Sequence, residues 1–71
     1  MDRHPATTGL LRWFDYKHLP PELQAVSQPV AELAHTIVSR LPDGPELTTG
    51  LRKLLEAKDC LVRAAIEDAR P

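Results

Sequence analysis

At 71 residues and 7.9 kDa, with 42% hydrophobic and 27% charged residues, the chain has the size and composition of one small globular domain, which excludes a two-domain enzyme with a deep cleft. Nine Lys and Arg against ten Asp and Glu give a formal charge of −1, which argues against a protein that coats long nucleic acid by phosphate neutralisation alone and disfavours a small nucleic-acid accessory role. A chain this short buries only about 60% of its unfolded surface. With the lone cysteine Cys60, and with His4, His18 and His35 lacking zinc-type spacing, neither a disulfide nor a metal makes up the shortfall, and self-association is the expected source of stability.

Residues 1–12 hold Pro5, Thr7, Thr8 and Gly9 with no sustained period and are expected as a flexible N-terminal arm, leaving 13–71 as the folded domain. Pro20-Pro21-Glu22 marks a helix start, because proline fixes φ near the helical value and its missing donor costs nothing in a first turn. From there Leu23, Val26, Val30, Leu33, Ala34, Ile37, Val38 and Leu41 fall on one stripe of an amphipathic helix. Pro29 lies at the edge of the stripe, so one helix with a kink near Val26 is expected. Leu41-Pro42-Asp43-Gly44-Pro45-Glu46 is the reversal, with Asp43 and Glu46 at the spacing of a capping box for a second helix. That helix carries Leu47, Leu51, Leu54, Leu55, Leu61, Val62, Ala65 and Ile66 on one stripe. The fold class predicted is therefore all-α, a kinked antiparallel helical hairpin with a short N-terminal arm, assembling into a homo-oligomer. The small residues Ala57, Cys60 and Ala64 lie roughly opposite the leucine stripe and form either a contact between subunits or a solvent-facing strip of good helix formers.

Chemistry-bearing residues concentrate in two places. Trp13, Phe14 and Tyr16 stand among Arg12, Lys17 and His18, and aromatic faces beside cations suit stacked bases and phosphates; the alternative is an aromatic lid on the open end of the hairpin core. On the second helix Arg52, Glu56, Asp59 and Arg63 share a face. They either pair with one another at i,i+4 spacing or leave the arginines for phosphate. Lys58 projects from the middle of the leucine stripe, either snorkelling to the rim or directing a cation into a ligand pocket. Glu32 and His35 have the Glu-x-x-His spacing of di-iron bundles, but a second pair and further inward carboxylates are missing. With no metal set, no glycine-rich phosphate loop and no nucleophile beside a histidine and a carboxylate, no enzymatic activity and no cofactor are expected. The single cysteine and the lack of a signal-peptide core or a ~20-residue apolar run point to the cytosol.

The stretches Trp13-Phe14-Asp15-Tyr16-Lys17-His18-Leu19-Pro20-Pro21 and Leu41-Pro42-Asp43-Gly44-Pro45-Glu46, followed by Leu51-Arg52-Lys53-Leu54-Leu55-Glu56-Ala57, resemble a family of small phage proteins that act as cyclic-oligonucleotide sponges against the bacterial CBASS defence. A related hairpin occurs in phage sponges for the cyclic ADP-ribose isomers of Thoeris defence. The resemblance spans roughly residues 13–66 and rests on an aromatic Phe-x-Tyr segment, a proline-bounded first helix, a Pro-x-x-x-Glu turn and Leu-x-Lys-Leu-x-Glu-Ala. It implies a hexamer in the host cytosol that binds cyclic dinucleotides, and in some members cyclic trinucleotides, without cleaving them. Messenger held in pockets between subunits then cannot reach its effector. Tyr16 and Phe14 match the Phe-x-Tyr motif and Lys53 the second-helix motif; Arg12, Lys17, Arg52 and Arg63 join them as nucleotide-binding candidates by charge and position. Lys58 and Asp59 depart from the apolar residues usual there. The competing reading is an oligomerising hairpin that docks on a larger protein with no small ligand.

Overall fold

A computed structural model describes residues 3–68. Helix α1 runs Pro5–Leu11 and continues into a 3-10 turn at Arg12–Phe14; α2 spans Pro21–Arg40 and α3 Pro45–Asp68. No strand occurs among the described residues. The two long helices form the principal packing pair, and because only residues 41–44 join them they run antiparallel, as the hairpin reading requires.

Of the loose arm expected over residues 1–12, residues 1 and 2 lie outside the described residues, and over residues 3–12 the expectation is corrected. Pro5 sits in the first turn of α1, where it lacks nothing, and His4 Nδ1 accepts a hydrogen bond from the Ala6 amide at 3.0 Å, so histidine does the work usually given to Ser or Asp. Thr7 is buried and its hydroxyl donates to Asp43 Oδ1 at 2.7 Å, while the His4 amide donates to Asp43 Oδ2 at 3.0 Å. Arg3 Nη2 donates to the Leu41 carbonyl at 2.8 Å; its Nε lies 3.2 Å from Asp43 Oδ1, close enough for charge attraction although not aligned as a hydrogen bond. These contacts clasp α1 onto the loop between α2 and α3, and they also correct the capping-box expectation. Asp43 serves α1; α3 begins at Pro45, and the Thr48 amide makes its bond to the Gly44 carbonyl at 3.1 Å.

The α2 stripe divides into two edges. Ser27, Ala31, Ala34 and Val38, spaced i, i+4, i+7 and i+11, are the buried residues of the helix. The bulkier Leu23, Val26, Val30 and Ile37 are only half-buried, and Leu33 and Leu41 are exposed. The small edge is buried because the 3-10 turn packs on both long helices there and brings in Phe14, the largest wholly enclosed side chain, at 0% exposure. The core cluster is Phe14, Ala31, Ala34, Val38, Leu47 and Leu51, flanked by Leu10, Leu11 and Tyr16 from the N-terminal segment. Small residues on one wall and a phenyl ring entering between the helices fill space at low backbone separation. Helix α2 continues through Pro29, which is exposed, as is Ala25, whose carbonyl loses its usual partner there.

On α3 only Leu47 and Leu51 are buried; Leu54 and Leu55 are half-covered, and Leu61 and Ile66 lie open. The radius of gyration is 13.1 Å, against about 11 Å for a compact chain of this length. The hairpin is an elongated layer covered on one face by α1 and the 3-10 turn.

Candidate ligand-binding site

The link from α1 to α2 is held by side-chain to backbone bonds. Asp15 Oδ1 accepts from the Lys17 amide at 3.2 Å, and Gln24 Nε2 donates to the carbonyls of Leu19 (2.7 Å) and Lys17 (3.3 Å). With Phe14 anchored on one side and Gln24 pinning the other, the segment Arg12–Leu19 lies against the second half of α3. Between them is a groove of about 430 Å³ lined by Arg12, Trp13, Asp15, His18, Leu19, Lys58, Asp59, Val62 and Arg63. Its permanent cations are Arg12, Lys58 and Arg63, against the carboxylates Asp15 and Asp59.

Trp13 is 63% exposed, a large apolar surface to leave in water, and it sits at a groove with cations on both sides. Lys58 has its stem packed away, with the side chain 12% exposed, and its Nζ is 2.9 Å from Asp59 Oδ1. It therefore lies in the stripe with its ammonium paired at the groove wall. Arg63 donates from Nη2 to Cys60 Sγ at 3.3 Å. Among the described residues neither Arg12 nor Arg63 stands within 4.0 Å of a carboxylate. The expected i,i+4 pairs Arg52–Glu56 and Asp59–Arg63 do not form either: Glu56 is met at 4.0 Å by Lys53 and Asp59 by Lys58. His18 Nδ1 is 4.0 Å from Asp15 Oδ2, both well exposed.

Of the residues expected at a nucleotide site, the fold brings together Arg12 and Arg63, residues remote in sequence. Phe14 is corrected: it presents no surface to a ligand and serves as the anchor. Tyr16 is half-buried against the core and does not line the groove. Lys17 and Arg52 are exposed elsewhere, and Lys53 lines a different groove, between α2 and the first half of α3. Trp13 and His18 belong to the site by position and were legible only as members of the aromatic and basic cluster. Ala57, Cys60 and Ala64 are all exposed.

Asp43, at the far end, has its carboxyl held below the ordinary aspartate range. The Thr7 hydroxyl contributes most, followed by the His4 amide, and the Arg3 charge adds to both against an opposing effect of burial. Among the described residues no group of His, Cys, Asp and Glu is placed to hold a metal ion, and no helix is long and apolar enough to cross a membrane. No family model, curated protein or solved structure matches the chain.

Proposed function

We propose that this protein is a non-catalytic sponge that binds cyclic oligonucleotide messengers, cyclic dinucleotides and also cyclic trinucleotides, and so withholds them from a CBASS-type antiphage effector in the bacterial cytosol. The observation that carries the reading is the groove at Trp13. An exposed indole offers a stacking face to a base, and Arg12 and Arg63, neither with a carboxylate partner among the described residues, supply planar donors to phosphate. Lys58 adds a third cation, and Asp15 and Asp59 supply acceptors for base or ribose donors. The groove is open to solvent, so the reading includes the homo-oligomer, a hexamer, that the family resemblance implies, with neighbouring copies closing the site.

The test is thermal shift and calorimetric titration of the full chain against a panel of cyclic di- and trinucleotides and cyclic ADP-ribose isomers. A ligand at ~100 times its Kd that binds only the folded state adds about 2.7 kcal/mol to stability. Trp13→Ala, at a residue with little buried surface, weakens binding about 5- to 150-fold, the range expected for one lost stacking contact. An unchanged melting temperature with every member of the panel would overturn the reading. A shift confined to the cyclic ADP-ribose isomers would transfer it to Thoeris messengers. The alternative, a hairpin that docks on a larger protein with no small ligand, draws on the apolar face left open by α2 and α3, and it is the reading left standing by a silent panel.

A further inference from the structure

We infer that two copies of this chain pair through the uncovered face of the hairpin, α3 against α3 in antiparallel sense, about a two-fold axis passing near Gly50. The face is a groove of about 500 Å³ lined by Ile37, Leu41, Leu47, Leu51, Leu54 and Gly50, among others. It continues along both helices through Leu33, four residues before Ile37, and Leu61, four after Ala57, each about half exposed. The opposite face is already occupied by α1 and the 3-10 turn.

Three observations select a second copy as the occupant. The first is area. The chain exposes 5207 Å², whereas a compact monomer of its mass exposes about 4,400 Å². The excess, on the order of 800 Å², goes with an elongated molecule of 46 × 19 × 17 Å whose hairpin is layered on one face only, which leaves surface for a second copy.

The second is Gly50. It lies inside α3, where glycine costs about 1 kcal/mol relative to alanine, and a Cβ built there meets nothing within 4 Å. Nothing among the described residues calls for its smallness. Close approach of a second helix backbone does.

The third is charge. Glu46 and Lys53, both exposed, line the same groove on either side of Gly50. In an isologous contact residue i meets j while j meets i. A two-fold axis near Gly50 therefore brings Lys53 to the partner's Glu46, with their axial distances from the axis differing by only about one residue rise, ~1.5 Å. Each pair forms twice. The weak 4.0 Å contact from Lys53 to Glu56 on its own helix is easily exchanged for it.

This pairing rests on the self-association contained in the proposed function but not on its ligand, because the Trp13 groove and the Gly50 groove share no lining residue. The experiment is sedimentation equilibrium of the ligand-free full chain over a range of concentrations, with nucleotide titration run separately. Wild type is expected as dimers or a multiple of them. Gly50→Gln retains helix, since the position is open and glutamine is the better helix former, but weakens association about 10- to 100-fold through overpacking. Glu46→Lys and Lys53→Glu each weaken association by about tenfold or more through like-charge repulsion, and the double exchange restores it. A monomeric wild type overturns the pairing while leaving nucleotide binding measurable. Association unmoved by Gly50→Gln, or single charge reversals not rescued by the double exchange, overturns it equally.

Discussion

Phe14 is the side chain on which the N-terminal segment hangs, and truncating it tests the packing directly. It is wholly enclosed, and the cluster around it consists of Ala31, Ala34, Val38, Leu47 and Leu51. Neither alanine can extend to fill a vacated ring, so Phe14→Ala is expected at the full cost of a buried aromatic, about 3–5 kcal/mol. At about 0.05–0.15 kcal/mol per residue, a chain of this length has only ~4–11 kcal/mol in total. The variant therefore loses about a quarter or more of its stability and at the lower end does not fold. Urea unfolding followed by far-ultraviolet circular dichroism measures the loss, with Trp13 fluorescence as a second probe reporting release of the adjacent segment. Protein concentration is held fixed because self-association shifts the apparent midpoint. Phe14→Leu keeps most of the apolar volume and is expected to cost about 1–1.5 kcal/mol while leaving nucleotide affinity unchanged. A loss below about 1 kcal/mol for Phe14→Ala would refute the enclosed position of the ring, and a fall in affinity for a fully folded Phe14→Leu would return Phe14 to the binding site.

The hydroxyl of Ser27 is buried without a hydrogen-bond partner among the described residues, so Ser27→Ala is expected to raise stability by roughly 1 kcal/mol in the same urea assay; a lower midpoint would show that the hydroxyl is satisfied. Lys58→Leu retains the buried stem and removes the cation, so melting temperature holds while nucleotide affinity falls about tenfold, the loss of one charge-assisted contact; equal affinity in calorimetry would remove Lys58 from the site. The carboxyl of Asp43 titrates below its ordinary 3.8 in the folded chain, so the clasp it makes is fully present above that value and is lost as pH falls through the lower folded value. Acid titration of wild type beside Asp43→Asn is expected to show a loss of helix below about pH 4 that the variant lacks, and superimposable curves would dismiss the clasp. Tyr16→Ala, at a half-buried residue outside the groove, is expected to lower the melting temperature while changing affinity less than Trp13→Ala does; the reverse order would move the stacking face from Trp13 to Tyr16.

The extents of the two long helices and the reversal between them were legible from local signals alone. Apolar spacing at i, i+3 and i+4 is a property of one helix, and Pro21, Pro42 and Pro45 punctuate the chain without help from distant residues. The N-terminal helix was not legible, because what orders Pro5–Leu11 is Asp43, 36 residues from Thr7 and 39 from His4, and no periodicity within seven residues foretells such a partner. The same limit applies to the faces of α2. Its apolar stripe was evident, but only the arrival of Phe14 decided that Ala31 and Ala34 would be enclosed while Leu33 and Leu41 stayed open. At the candidate site, residue types announced an aromatic and basic segment and a charged helix. Which members meet depended on the angle at which Arg12–Leu19 crosses α3, and that crossing put Trp13 beside Arg63, turned Tyr16 inward and left Lys17, Arg52 and Lys53 apart. Local propensity and patterning act over one or two helical turns and can be read along the chain; docking depends on pairs far apart in sequence, whose burial is settled only when all the helices are packed together.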